Sequence, residues 1–177
     1  MEKQLGIAAL TQNKATITAC ELNKIRAERL KYNLQKQGAT STYVMVTDAR
    51  KLDDFFSFDK ILLDAPCSGS GTIDANTDFS KTFTQTLIKK SASSQAMLLT
   101  KAIKLLKPGH EMVYSTCSIL ECENEEVVSK VLAKAEIVPI EIEGLPLLPT
   151  KIKGTLCIAP TSLYEGFFVA KLRKKTL

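Results

Sequence analysis

Several patterns are missing from this chain, and each shortage argues against a class of function. There is one histidine in 177 residues, His110. It precedes an apolar run that Cys117 follows, so on a strand the two fall at opposite ends, against a Cys–His protease pair. The five cysteines are odd in number and show no repeated CxxC spacing. That argues against a disulfide framework or a zinc ribbon, and for reduced thiols in a cytosol-like compartment. GxGxxG is absent, which leaves a dehydrogenase without its phosphate-binding turn. No apolar run approaches the roughly 20 residues needed to cross a bilayer. The opening MEKQLGIAAL lacks the charged-then-apolar order of a signal peptide. A soluble, cytoplasmic protein is expected.

What is present has an ordinary balance, 45% apolar and 24% charged residues, typical of a folded domain. The length suits one domain over 1–177 with a true core. A net charge of +5 permits a polyanionic partner without requiring one. The basic tail Lys171–Lys175 reads as a solvated terminus more readily than as a nucleic-acid contact.

Periodicity and turn residues outline the elements. Residues 3–12 are helical, with Leu5, Ile7, Ala8 and Leu10 on the apolar side. Ala15–Cys20 is a strand ending at Glu21. Asn23 caps a helix over Lys24–Lys36, striped by Ile25, Leu30 and Leu34 and closed by Gly38. Thr42–Val46 is a strand running into Asp48, and Ile61–Leu63 a buried strand ending on Asp64. A polar, exposed loop follows over 72–82. The next helix, Thr84–Leu106, buries Leu87, Ile88, Met97, Leu98, Ile103 and Leu106 and stops at Lys107-Pro108-Gly109. Strand Glu111–Ser115, helix Cys122–Ala135, a strand near Glu136–Ile142, an irregular Gly144–Pro160 with a short strand at Thr155–Ile158, and a last strand Gly166–Leu172 complete the chain. Alternating strands and helices predict an α/β, doubly wound, mostly parallel sheet.

The stretch KILLDAPCSGSGTI (Lys60–Ile73) organises the rest. An apolar strand that stops on a carboxylate and opens into a Ser/Gly loop is the anatomy of an α/β site, where ligands bind beyond the carboxyl ends of strands. MVYSTCS (Met112–Ser118) repeats the plan. If the two strands are parallel neighbours, Cys67 and Cys117 face one cleft. Glu21, Asp48 and Asp64 close successive strands. A carboxylate there either caps the next helix or, as at the first position, accepts from the hydroxyls of a ribose. Cys20, Cys122 and Cys157 read as structural.

DAPCSGSGT (Asp64–Thr72) together with YSTCSI (Tyr114–Ile119) resembles the Nol/Nop/Sun (Sun/Fmu-type) family of RNA cytosine-5 methyltransferases. ITACELN, TDAR, the segment from LLKPGH through ECENEEVV, and EGFFVAKLRK extend the match through most of the chain. The resemblance implies a Rossmann-like S-adenosylmethionine-dependent methyltransferase fold and an RNA substrate, ribosomal or transfer. It makes Cys117 the nucleophile that adds to C6 of cytosine, gives Cys67 a part in releasing the product, and sets Asp64 on the base edge. Glu21 and Asp48, with Asp64, fall on the cofactor-binding positions. Lys3 falls on a lysine that reaches the target cytidine. No metal is implied.

Against the family pattern, the strand and glycine-rich DxCAAPGGKT-type loop that precede the first helix are not in this sequence. The expectation is a fold truncated before its first strand, whose open sheet edge favours self-association or a partner segment. IDANTDFSKT (Ile73–Thr82) stands where relatives carry basic residues. A non-catalytic RNA-binding or assembly protein derived from the family is the alternative. It predicts RNA binding indifferent to cofactor and to Cys117→Ala.

Overall fold

The computed structural model describes residues 2–72 and 83–176. The polar loop expected over 72–82 lies outside the described residues from Ile73 onward. The chain divides into two compact units, 1–53 and 54–177.

In the first unit, Asn23 accepts a hydrogen bond from the Arg26 backbone N–H at 3.0 Å and caps α2 (Lys24–Lys36), satisfying a donor the helix cannot pair internally. Helix α1 (Glu2–Leu10) ends in a turn with Gln12 and Asn13 in the left-handed region. Strands β1 (Ile17–Glu21) and β2 (Thr42–Val46) pair in parallel, Ile17 opposite Thr42 and Glu21 opposite Val46. Ala8, Ala19, Leu30, Leu34 and Ala39 form the core of this unit. Two expected core residues lie outside it: Leu10 is 87% and Ile25 67% exposed. The buried stripe of α2 is Ala27, Leu30 and Leu34. That is a three-then-four spacing, and Ile25, two residues before Ala27, points elsewhere on a 3.6-residue turn.

The second unit is built on a sheet of order β3-β4-β8-β7-β6, with β5 also paired to β8. Its strands are β3 (Phe58–Asp64), β4 (Leu106–Thr116), β5 (Ala135–Ile137), β6 (Leu147–Leu148), β7 (Leu156–Ile158) and β8 (Phe167–Lys174). β3 and β4 are parallel, as expected for the two cysteine-bearing segments, and the pairings of β8 with β4, β5 and β7 are antiparallel. Helix α3 (Gln85–Leu105), capped by Thr84, buries Gln95, Leu99, Ala102, Ile103 and Leu105. Leu87 and Met97 are instead 38% and 49% exposed. Met97 lies two residues from the Gln95–Leu99 stripe, which again turns it away.

The helix expected over Cys122–Ala135 is shorter. Glu121–Glu123 is a single 3-10 turn, and α4 covers Glu125–Ser129. Asn124 breaks the run because its amide is engaged elsewhere, donating to Ser118 O at 2.9 Å and accepting from Thr116 Oγ1 at 2.6 Å. β5 stops before Pro139, which has no N–H to offer a ladder.

Tyr114, Leu99, Met112, Phe168 and Leu172, each at most 1% exposed, pack at the centre. The basic tail is part of the fold: Lys171 and Arg173 pair with Glu111, and Lys174 Nζ donates to Lys104 O and Leu106 O where α3 ends. No described helix is long and apolar enough to cross a membrane.

Candidate active site

Because β3 and β4 run in register with Asp64 opposite Ser115, the loops that leave them emerge at one edge of the sheet. Cys67 Sγ and Cys117 Sγ meet there, 3.2 Å apart. Both residues are half-buried and neither is in a disulfide. Burial, then the hydrogen bond with Cys117, pushes the Cys67 thiol up to about 12. At neutral pH Cys67 therefore keeps its proton, and either sulfur can be the donor in the contact. His110 lies near the other end of β4, its Nε2 3.5 Å from Asp59 Oδ1, so the single histidine is no partner for Cys117.

Backbone bonds lock the two loops. Ala65 N donates to Ser115 O at 2.9 Å, Gly71 N to Cys117 O at 2.9 Å, and Gly166 N to Gly71 O at 2.7 Å. Asp64 closes β3 exposed at the mouth of the site. It accepts from Ser115 Oγ at 3.2 Å, and a carboxylate has further acceptor capacity toward a ligand N–H.

Behind the cysteines lies a polar cluster that the sequence pattern missed. Glu123 is completely buried. Its Oε1 accepts from Ser68 N at 2.8 Å, and its Oε2 from Ser68 Oγ at 2.5 Å and Ser118 Oγ at 2.6 Å. Gln95 Nε2 donates to Pro66 O at 2.9 Å and lies 3.5 Å from Glu123 Oε1. Ser70 Oγ is 2.8 Å from Ser118 Oγ. The one signal in the sequence is the acid-rich ECENEE run, two residues after STCS.

Glu21 and Asp48 lie in the first unit, after the neighbouring strands β1 and β2. Glu21 accepts from Asn23 N at 2.9 Å and pairs with Arg26 at 3.0 Å. Asp48 caps the turn Ala49–Lys51. The Arg50 guanidinium, 2.6 Å away, and the Arg50 N–H hold its carboxyl down to about 2. Both acids are thus local caps that retain lone pairs. Two acceptors at adjoining strand ends suit the hydroxyls of a ribose and the amino group of a base, so the donor set fits a nucleoside-bearing cofactor. Lys3 is on α1 of the same unit. Among the described residues no cluster of His, Cys, Asp and Glu could hold a metal ion.

Residues 2–173 match the family model described as 16S rRNA methyltransferase RsmB/F. Ribosomal RNA small subunit methyltransferase F of Erwinia tasmaniensis is 34% identical over 181 residues, covering 97% of this chain and 38% of its own length. Probable ribosomal RNA small subunit methyltransferase B of Bacillus subtilis is 32% identical over 182 residues, covering 98% and 41%. The crystal structure of NSun6 from Pyrococcus horikoshii with SFG superposes with a TM-score of 0.86 at 32% identity, over 99% of this chain and 45% of that one. The architecture is accordingly the Rossmann-like α/β fold of methyltransferases. The chain spans about two fifths of the length of the curated relatives it matches.

Proposed function

Because the chain belongs to the 16S rRNA methyltransferase RsmB/F family, we propose that it is the catalytic portion of an enzyme that methylates C5 of a cytosine in RNA, with S-adenosylmethionine as the methyl donor. The observation that carries this reading is the 3.2 Å approach of two cysteines at the ends of adjacent parallel strands. Packing alone needs no thiol in either loop.

C5 of cytosine is a weak nucleophile until a thiolate adds to C6 and makes the ring enamine-like. Cys117 is the residue assigned to that addition. The Cys67 sulfur lies 3.2 Å from that of Cys117. Asp64, exposed at the mouth of the site, accepts from the N3/N4 edge of the base and favours the addition. The cofactor, when bound, supplies a methyl group on a sulfonium centre. After transfer C5 carries both the methyl group and its original proton. That proton must pass to a base before the C5–C6 double bond re-forms and expels Cys117; in this reading Cys67 accepts it, having first given up its own thiol proton. Glu21 takes the ribose hydroxyls and Asp48 the adenine side of the cofactor, while Lys3 approaches the cytidine. The substrate is single-stranded or locally opened RNA, since C6 is inaccessible in a stacked duplex. A ribosomal substrate is the form of the reading that the relatives' names favour.

Covalent trapping tests it. The chain is incubated with S-adenosylmethionine and RNA containing 5-azacytidine, in which the proton-release step is blocked. An adduct that is lost in Cys117→Ala and retained in Cys67→Ala is expected. No adduct, either in this chain or in the same chain extended at its N-terminus, would favour an RNA-binding protein without catalysis.

A further inference from the structure

We propose that Glu123 is a positioning residue that sets the separation of Cys67 and Cys117 by clamping the residue that follows each of them. The role rests on the proposed reaction, in which both thiols serve one base. The clamp itself is a matter of geometry.

Ser68 directly follows Cys67 and Ser118 directly follows Cys117. One carboxylate holds both, with Ser68 N–H on Oε1 at 2.8 Å and the two hydroxyls on Oε2 at 2.5 and 2.6 Å. Gln95 adds a hold on the other side of Cys67 through Pro66 O at 2.9 Å. The backbone of Glu123 is itself anchored, because its carbonyl accepts from the buried Tyr114 hydroxyl at 2.7 Å. Loop, loop and central strand therefore meet at one residue.

Stability alone does not call for this arrangement. A completely buried carboxylate carries a large desolvation cost, and a well-packed apolar side chain commonly serves a core as well or better. A carboxylate does what no neutral isostere can here, because all its lone pairs are acceptors. In glutamine one terminal atom is a donor. With the amide nitrogen on the Oε1 side it would face the Ser68 N–H; on the Oε2 side it would meet the Ser118 hydroxyl, already engaged with Ser70 Oγ and the Leu120 N–H. Either way at least one of the three bonds the carboxylate accepts is lost. The negative charge also opposes ionisation of Cys67.

The test reads the sulfur–sulfur distance without RNA or cofactor. The reduced full chain is treated with diamide. This oxidises the two thiols to a disulfide, while its N=N bond takes up their two hydrogens to become a hydrazine. The Cys67–Cys117 cross-link is followed by mass spectrometry. Glu123→Gln should slow cross-linking on the order of tenfold or more, because small displacements of paired groups cost large factors in rate. It should also move the pH profile of Cys67 alkylation to lower pH. Glu121→Gln, at a partly exposed position paired with Lys151, should change neither.

A folded Glu123→Gln protein with wild-type cross-linking and an unmoved profile would overturn the proposal. If Glu123→Gln does not fold, Ser68→Ala and Ser118→Ala each remove one arm. Both must then slow the cross-link, and wild-type rates in the two would overturn it equally. An azacytidine adduct missing from both this chain and its N-terminally extended form, alongside slowed cross-linking, would sink the methyltransferase reading and leave the clamp standing.

Discussion

Gly71 and Gly166 lie so close that a Cβ on Gly71 would fall 2.2 Å from the Gly166 carbonyl oxygen. Gly166 N–H donates to Gly71 O, and Gly71 N–H to Cys117 O, so this contact ties the turn after Cys67 to the loop of Cys117. The obstacle is backbone, which cannot rotate away as a side chain would. Gly71→Ala should destabilise the protein by about 1–3 kcal/mol, the usual cost of overpacking, and weaken azacytidine trapping. Calorimetry and the trapping assay check both. Gly6, in α1 with nothing within 4 Å of its would-be Cβ, is the contrast. Gly6→Ala should stabilise by up to about 1 kcal/mol, the helix preference of alanine over glycine.

Tyr114 is fully buried, its ring edge-on to Phe168 at 6.3 Å and its hydroxyl on Glu123 O at 2.7 Å. Tyr114→Phe keeps the ring packing but leaves a buried carbonyl without its donor, a loss of about 1–3 kcal/mol. Urea unfolding should show a lower midpoint with an unchanged slope.

Glu111 accepts from Lys171 at 2.8 Å and Arg173 at 2.6 Å. Lys171, then Arg173, holds its carboxyl down from 4.5 to about 2. A depressed carboxyl contributes stability that is complete above its unfolded value and is lost as pH falls through the folded one. Part of the wild-type decline in stability between pH 4.5 and 2 is therefore assigned to Glu111. In Glu111→Gln that decline should be shallower, with the two proteins converging near the acid end. Urea midpoints measured along a pH series decide it.

Lys174 reaches from β8 to two carbonyls at the end of α3, Lys104 O at 2.9 Å and Leu106 O at 2.6 Å. Those carbonyls have no partner within the helix, and a cation there also complements the helix dipole. Lys174→Met keeps the aliphatic stem and removes the donors, so a loss of about 1 kcal/mol is expected in thermal unfolding. Lys153→Met, on an exposed loop residue, should be neutral.

The local features of this fold are readable one segment at a time. Asn23 and Thr84 announce the starts of α2 and α3 because their side chains can accept the orphan N–H groups of a first turn. The run ILLD and the run MVYST declare two strands because a short apolar segment bounded by small polar residues has no other economical backbone. Hydrophobicity alone would put Leu10, Ile25, Leu87 and Met97 on buried faces, whereas a helix buries whatever its 3.6-residue turn points inward, which includes Ala27 and Gln95. Burial is a property of direction, and composition does not state a direction.

The candidate site divides along the same line. Two cysteines, each just past an apolar strand in a Ser/Gly/Thr loop, can be picked out from residues 60–73 and 112–118 by themselves, because the strand signal and the loop signal are local. That their sulfurs meet at 3.2 Å depends on β3 and β4 being parallel and in register, a pairing across 51 residues between Asp64 and Ser115. Glu123 belongs wholly to this second kind of information. In the chain it is one acid among several in ECENEE. It becomes the hub of the two loops only where packing removes water around it and brings Ser68, 55 residues away, within hydrogen-bond distance. Propensity and patterning act over a few residues, whereas a buried carboxylate is stable only once its distant donors have been assembled around it.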